Sequence, residues 1–160
     1  MIQTEIQDYA NTHTSAENEL LTEIRELTAS TRNDKTMLSG FYQGRVLSMF
    51  CKMLQPKRIL EIGTYMGYSS LCLAEGLPDD GKIITLDAQP ETFEISTGFF
   101  ARSPYADKID ARFGLALEII PTLDETFDLV FIDADKPNYS NYFDLVFPRM
   151  KVGGIIIADN

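Results

Sequence analysis

Oxygen-bearing side chains recur behind short apolar runs in this sequence: Glu61 in RILEIG, Asp87 after IITL, Asp133 after FDLVFI, and Asp159 with Asn160 after GGIIIA. Brought to one rim, such acids suit a small cationic or metal-chelated ligand. The stretch EIGTYMGYSS at 61–70 adds Gly63 and Gly67, which permit a tight turn and close backbone approach ahead of a helix. Its spacing is not GxGxxG, and the acid at its start favours a ligand carrying an amino group over a pyrophosphate; a purely structural turn would also account for the glycines. Asp87 stands one helix and one strand further on, where the acid of a nucleotide-binding βαβ unit accepts hydrogen bonds from both ribose hydroxyls. A solvated strand-end acid is the plain alternative. For Asp133, Asp135 and Lys136 in DADK the alternatives are a helix start, with Asp135 as cap and Pro137 in the first turn, or a metal site shared with Asp159 and Asn160.

These residues need a scaffold that gathers them. From Arg58 onward, short apolar runs alternate with helical segments, the pattern of βαβ units and a parallel sheet. Strands are expected at RILEIG (58–63), KIITLDA (82–88), KIDARFG (108–114), FDLVFID (127–133) and GGIIIADN (153–160), the last read as buried on its three isoleucines. Crossover helices should begin near Ser69, Pro90, Ala116 and Asn138. Right-handed crossovers put the carboxyl ends of all five strands along one edge, where open α/β sheets bind ligands. Ahead of this core, Thr14 and Glu17 form a capping-box pattern before a helix carrying Leu20, Leu21, Ile24 and Leu27. A polar link, STRNDK, leads to a second helix, ended by Pro56, in which Val46, Leu47, Phe50, Met53 and Leu54 share a face expected to pack in the core.

A chain of 160 residues suits one domain, here a helical segment 1–57 followed by a βαβ core 58–160. The net charge of -10 argues against nucleic acid or an anionic membrane surface as partner, since both reward clustered positive charge. No stretch approaches the ~18 apolar residues of a membrane span. The N-terminus has neither a basic start nor an apolar h-region, which makes a cytoplasmic location the expectation. Cys51 and Cys72 lack CxxC spacing and read as reduced core thiols; His13, the only histidine, receives no role.

Together, EIGTYMGYSS, ITLDAQPE, FIDADKPNY and GGIIIADN make the chain, from about Met37 on, resemble the cation-dependent O-methyltransferases that use S-adenosylmethionine, the group of caffeoyl-CoA and catechol O-methyltransferases. The resemblance implies a Rossmann-like methyltransferase fold, α/β with a mostly parallel, doubly wound sheet and N-terminal helices. It implies that Glu61, Gly63, Tyr65 and Ser69 hold the cofactor's methionine portion, that Asp87 takes the ribose, and that Ala116 lies beside the adenine, with Asp133 also at the cofactor. Ser39 falls near the metal. Asp133, Asp159 and Asn160 match the three ligands of a divalent cation, Mg²⁺ or Ca²⁺, and Lys136 matches the general base, so Lys136 and Asp133 are the catalytic candidates. The implied partners are a catechol-like small molecule and a second copy of the chain in a homodimer. Relatives continue past the Asp-Asn pair, so this chain is expected to lack the last strands and to leave the fifth strand as a bare edge.

The chemistry wants such a set. Two carboxylates and an amide oxygen leave a hard cation room for two adjacent substrate hydroxyls. A phenol of pKa near ~10 is only about 0.1% nucleophilic at pH 7, and lowering that value by ~3 units is worth ~4 kcal/mol. A cation supplies that shift, a neighbouring lysine takes the proton, and in-line positioning does the rest. Two other readings stand beside this one. An NAD-dependent oxidoreductase shares the ribose acid but lacks its glycine fingerprint, and a non-catalytic cofactor-binding fragment would bind without turnover.

Overall fold

The computed structural model describes residues 4–159, so Asn160 lies outside the described residues. Three helices open the chain, α1 (Thr4–His13), α2 (Glu19–Thr31) and α3 (Phe41–Leu54). They are followed by β1 (Arg58–Ile62), α4 (Tyr68–Ala74), β2 (Lys82–Asp87), α5 (Pro90–Arg102), β3 (Ile109–Phe113), α6 (Ala116–Ile119), β4 (Phe127–Ile132), α7 (Tyr139–Val146) and β5 (Met150–Ala158). The five strands form one sheet in the order β3-β2-β1-β4-β5, and every pairing is parallel rather than mostly so.

Alternation along the central strands sorts the core onto both faces of the sheet. Ile59, Leu129 and Phe131 pack with α2, α3, α4 and α5, while Leu60, Ile62, Val130 and Ile132 pack with α6 and α7. Each such side chain, fully withdrawn from water, contributes about 1.5–3 kcal/mol. Strand order reverses at β1, with β2 and β3 on one side and β4 and β5 on the other. The crevice beyond the carboxyl ends of β1 and β4 is therefore the topological switch point, where a doubly wound sheet leaves space for a ligand.

Three expectations need correction, and one helix was not foreseen. The capping box at Thr14 is not used: Asn18 caps α2, its Oδ1 accepting the Leu21 N–H at 3.0 Å, while Thr14 donates back to the Ala10 carbonyl of α1 at 2.5 Å. Helix α1, in the polar N-terminal stretch, was not expected; its Ile6 and Tyr9 are exposed. The apolar stripe on α3 is out of phase with its buried face. Leu47 is buried, yet Phe50, Met53 and Leu54 are exposed, and the residues that face the core are Gly44, Arg45, Leu47, Ser48 and Cys51. Finally, β5 is an edge strand, as expected, but not a buried one: Ile155 is exposed and Ile156 and Ile157 are only half-buried, because one side of the ladder and part of one face have no neighbour among the described residues. Cys51 and Cys72 are buried free thiols, as their apolar settings implied.

Candidate active site

Backbone hydrogen bonds continue the sheet past its strands and fix the tips relative to one another. Gly114 N–H donates to Asp87 O, Gly63 N–H to Leu86 O, Asp133 N–H to Ile62 O and Asp159 N–H to Ile132 O, all at 2.9–3.0 Å. Asp133 and Asp159 each follow one residue after the paired Ile132 and Ala158, so both carboxylates leave the same face of adjacent strands. Neighbouring strands lie about 4.8 Å apart, a span that one cation can bridge. Gly63 has φ 101°, and a Cβ there would stand 1.8 Å from the Asp133 carbonyl oxygen. Only glycine lets the β1 and β4 tips meet. Gly67, at φ 84°, begins α4 with the Phe100 ring 2.7 Å from where its Cβ would be.

Over this junction lies a cavity of about 440 Å³, bounded by Gly63, Thr64, Tyr65, Tyr68 and Ser69 from β1 and α4, and by Asp133 from β4. The start of α5 adds Gln89 to Thr92, and the segment between α2 and α3 adds Arg32, Asp34 and Met37 to Ser39. Of the residues anticipated from sequence, Gly63, Tyr65, Ser69, Asp133 and Ser39 thus line one chamber. Asp87 lies just below its wall, 9% exposed. Its Oδ2 accepts the Tyr65 N–H at 2.6 Å and its Oδ1 the Gln89 N–H at 2.7 Å. Each oxygen can accept a second hydrogen bond, and the Thr92 hydroxyl and Ala88 N–H also lie near this carboxylate. Burial raises the Asp87 carboxyl above its ordinary range, and the Gln89 and Tyr65 N–H groups oppose the rise. Ala116, half-buried at the start of α6, packs in the core beside the β3 tip and is not part of the chamber wall.

Glu61 corrects a simple picture of four acids facing one crevice. Strand alternation turns it to the same face as Ile59, where it is wholly buried. Its Oε2 accepts from the hydroxyls of Ser70 and of Thr85, its register partner on β2, the latter at 2.6 Å. Its Oε1 has no partner among the described residues. Burial pushes this carboxyl up to about 7, the hydroxyls of Ser69, Ser70 and Thr85 pull it down, and the Asp133 charge adds to the rise. Ser69, one of these hydroxyls, lines the chamber, whereas Glu61 itself does not.

That arrangement gives a pH signature. A carboxyl whose folded pKa is raised adds stability below its ordinary value of 4.5, and the contribution is lost as pH climbs through about 7. Relative to Glu61→Gln, the ligand-free wild type is expected to lose up to about 3 kcal/mol between pH 5 and pH 8. Thermal melts of both proteins across that range check this; parallel curves would contradict it.

At the β4 tip, burial first and Asp159 second push Asp133 up to about 6, while the Lys136 charge pulls it down. Lys136 itself is exposed on a short 3-10 turn, Lys136–Asn138, that precedes α7. Asp135 occupies the cap position of that turn without capping it: its side chain accepts from Asn138 and from the Tyr142 hydroxyl instead. Asp159 is half-buried. Among the described residues no three His, Cys, Asp or Glu side chains gather as a metal group, so a cation here would rest on Asp133, Asp159 and groups beyond them.

Sequence reasoning passed over the polar link. Arg32 grips Asp34 with two hydrogen bonds, of 2.9 and 3.0 Å, and reaches Glu91 on α5 at 2.8 Å. The Tyr65 hydroxyl donates to Asp34 at 2.7 Å, and the Arg32 guanidinium lies 5.8 Å from the Tyr65 ring centre. Held by Arg32 and then Tyr65, the Asp34 carboxyl sits well below the usual range. The only cue in the sequence was the charge of STRNDK itself, which reads equally as a solvated loop.

With this geometry in hand, comparison with known proteins is specific. The sequence profile of the family described as O-methyltransferase matches residues 11–160. Caffeoyl-CoA O-methyltransferase 1 of Eucalyptus globulus is 41% identical over 149 residues, which cover 90% of this chain and 60% of the relative. The caffeoyl-CoA O-methyltransferase of Petroselinum crispum is 40% identical over 150 residues, with 90% and 62% covered. This chain therefore spans about 60% of the length of the curated relatives it matches. Among solved structures, the O-methyltransferase from Bacillus cereus in complex with SAH superposes with a TM-score of 0.91 at 32% identity, covering 98% of this chain and 73% of that one. The O-methyltransferase TomG from Streptomyces achromogenes in complex with SAM gives 0.91 at 31%, covering 100% and 75%. The matched profile, the identities and the shared architecture have one meaning: this chain belongs to the O-methyltransferase family.

Proposed function

We propose that the chain is the S-adenosylmethionine-binding domain, residues 1–160, of an O-methyltransferase that acts on a small catechol-like substrate with help from a divalent cation. The observation that carries this reading is the chamber at the switch point, with Gly63, Tyr65, Ser69 and Asp133 in its walls and Asp87 beneath them. The donor set fits the cofactor. Asp87 has acceptor positions left for two ribose hydroxyls, and the partnerless Glu61 Oε1 behind Ser69 suits the charge of an ammonium group. The proposed environment of the adenine is the β3–α6 turn at Ala116.

The donor set fits a cation as well. Asp133 and Asp159 repel each other at adjacent tips, a conflict that a Mg²⁺ or Ca²⁺ ion would relieve, and Asn160 would be the third ligand. Bound together, the two groups supply a transferable methyl on sulfonium and positive charge that acidifies a chelated hydroxyl. The chain's own residues do the remaining work. Glu61, Ser69 and Asp87 orient the donor, Asp133 and Asp159 fix the acceptor hydroxyls, and Lys136 takes the proton released from the attacking oxygen. The architecture also accommodates NAD, but the missing GxGxxG and the SAM- and SAH-bound relatives do not favour it.

Two coarser features complete the reading. No helix among the described residues is long and apolar enough to cross a membrane, which supports a cytoplasmic enzyme. The exposed Tyr42, Met49 and Met53 on α3 support a homodimer. The direct test of the metal role is methyl transfer to catechol in the presence of EDTA. Activity is expected to vanish and to return with excess Mg²⁺; full activity in EDTA would remove the cation from the mechanism.

A further inference from the structure

The chamber's outer wall is held by a device that the reaction itself does not require. Residues 32–39 cross from α2 toward α3 over the cavity, and five of them, Arg32, Asp34, Met37, Leu38 and Ser39, line it. The crossing is pinned at two places by side chains of separate elements. Arg32 reaches Glu91 on the first turn of α5, and Asp34 receives the Tyr65 hydroxyl from the β1–α4 loop. Arg32 and Asp34 also grip each other through a two-pronged ion pair, so the two attachments act as one unit.

Tyr65 sits at the mechanical centre of this cluster. Its backbone is left-handed, φ 49°, an uncommon state for a residue with a side chain. Its N–H is held by Asp87 on one side of the ring, and its hydroxyl by Asp34 on the other. Loop, acid and strap are thereby joined in one chain of contacts. The outer members reach solvent: Glu91 and Asp34 have side-chain exposures of 74% and 46%, and Arg32, which joins them, 18%. Exposed ion pairs are individually weak, so the cluster stores little stability and can open without unfolding the core.

We infer that Arg32, Asp34, Tyr65 and Glu91 form a clasp that closes the 32–39 strap over the cofactor chamber, and that its opening is the step through which S-adenosylmethionine enters and S-adenosylhomocysteine leaves. The inference rests on the cofactor reading above. It assigns Arg32 and Asp34 as positioning residues that hold Tyr65 and the strap without taking part in the chemistry. A ligand of the chamber's size leaves past whichever wall yields first, and this wall is fastened at its outer edge by the polar contacts of Arg32, Asp34 and Glu91, with Leu38 packed against the core at its base.

Two measurements on the full chain separate the clasp from the cofactor reading. In the ligand-free protein, hydrogen–deuterium exchange of residues 32–39 reports the clasp alone. Arg32→Gln and Asp34→Asn should speed exchange there while leaving β1 and β4 protected, and Arg32→Lys should recover part of the protection. Surface plasmon resonance with S-adenosylhomocysteine then reports gating. Both variants should raise association and dissociation rates together, the latter by about five- to tenfold, with a smaller change in Kd. Unchanged exchange in the strap, or dissociation rates equal to wild type, would overturn the clasp. A wild type that exchanges as described yet binds no S-adenosylhomocysteine would instead overturn the cofactor reading, and with it the gating role.

Discussion

Asp133→Asn is expected to reduce methyl transfer to catechol by about 10²–10³-fold, the scale of removing one preorganised charge from a reacting centre. Three features of the site meet at Asp133. It lines the chamber, its N–H is locked to Ile62, and its carboxylate shares the tip of the sheet with Asp159. The asparagine is nearly isosteric and keeps the backbone lock, so the fold should persist. Ligand-free thermal stability should hold or rise, since burial and the Asp159 charge both disfavour the native carboxylate. Steady-state kinetics beside a thermal melt check the pair of outcomes. Transfer within threefold of wild type would show that this acid is not at the reacting centre.

Gly63→Ala should act through the fold instead. The added methyl would lie 1.8 Å from the Asp133 carbonyl oxygen and 2.7 Å from its carbon, both backbone atoms, at a φ of 101° that side chains rarely adopt. Neither strand can retreat, because Gly63 N–H and Asp133 N–H are both tied into the ladder. A loss of about 3 kcal/mol or more follows, or a drop of roughly 10 °C in the melting temperature for a domain of this size. Cofactor binding should fall with it, since the displaced tip carries Tyr65 on one side and Asp133 on the other. A melting temperature within 2–3 °C of wild type, on the same scale, would mean that the tips are further apart than described.

The parts of the molecule that could be read from sequence are those governed by short periods. RILEIG, KIITLDA and FDLVFID each begin and end within a residue or two of the observed strands, because a buried parallel strand is a continuous apolar run and its tip is where polarity returns. The chamber followed from those tips, with Gly63, Tyr65, Ser69 and Asp133 in its walls.

Longer-range facts were hidden for physical reasons. On α3 the buried face is small rather than greasy: a Cβ on Gly44 would approach the Tyr68 ring to 2.6 Å and the Cys72 sulfur to 2.7 Å, so close helix packing selects Gly44, Ser48 and Cys51. Counting large apolar residues therefore finds the wrong side. Glu61 looked like a crevice acid because it ends a strand. The pleat turns it inward, onto Thr85 and Ser70, partners 24 and 9 residues away. The strap was invisible because its meaning lies in Glu91 and Tyr65, residues that no local pattern connects to Arg32 or Asp34.

The proposed function requires a switch-point chamber that takes a sulfonium nucleoside. Isothermal titration of the chain with S-adenosylmethionine, run beside an identical titration with NAD, addresses it most directly. One-to-one binding of S-adenosylmethionine is expected, with a heat that disappears in Asp87→Asn, and no saturable heat with NAD. Saturable binding of NAD with none for S-adenosylmethionine would contradict it.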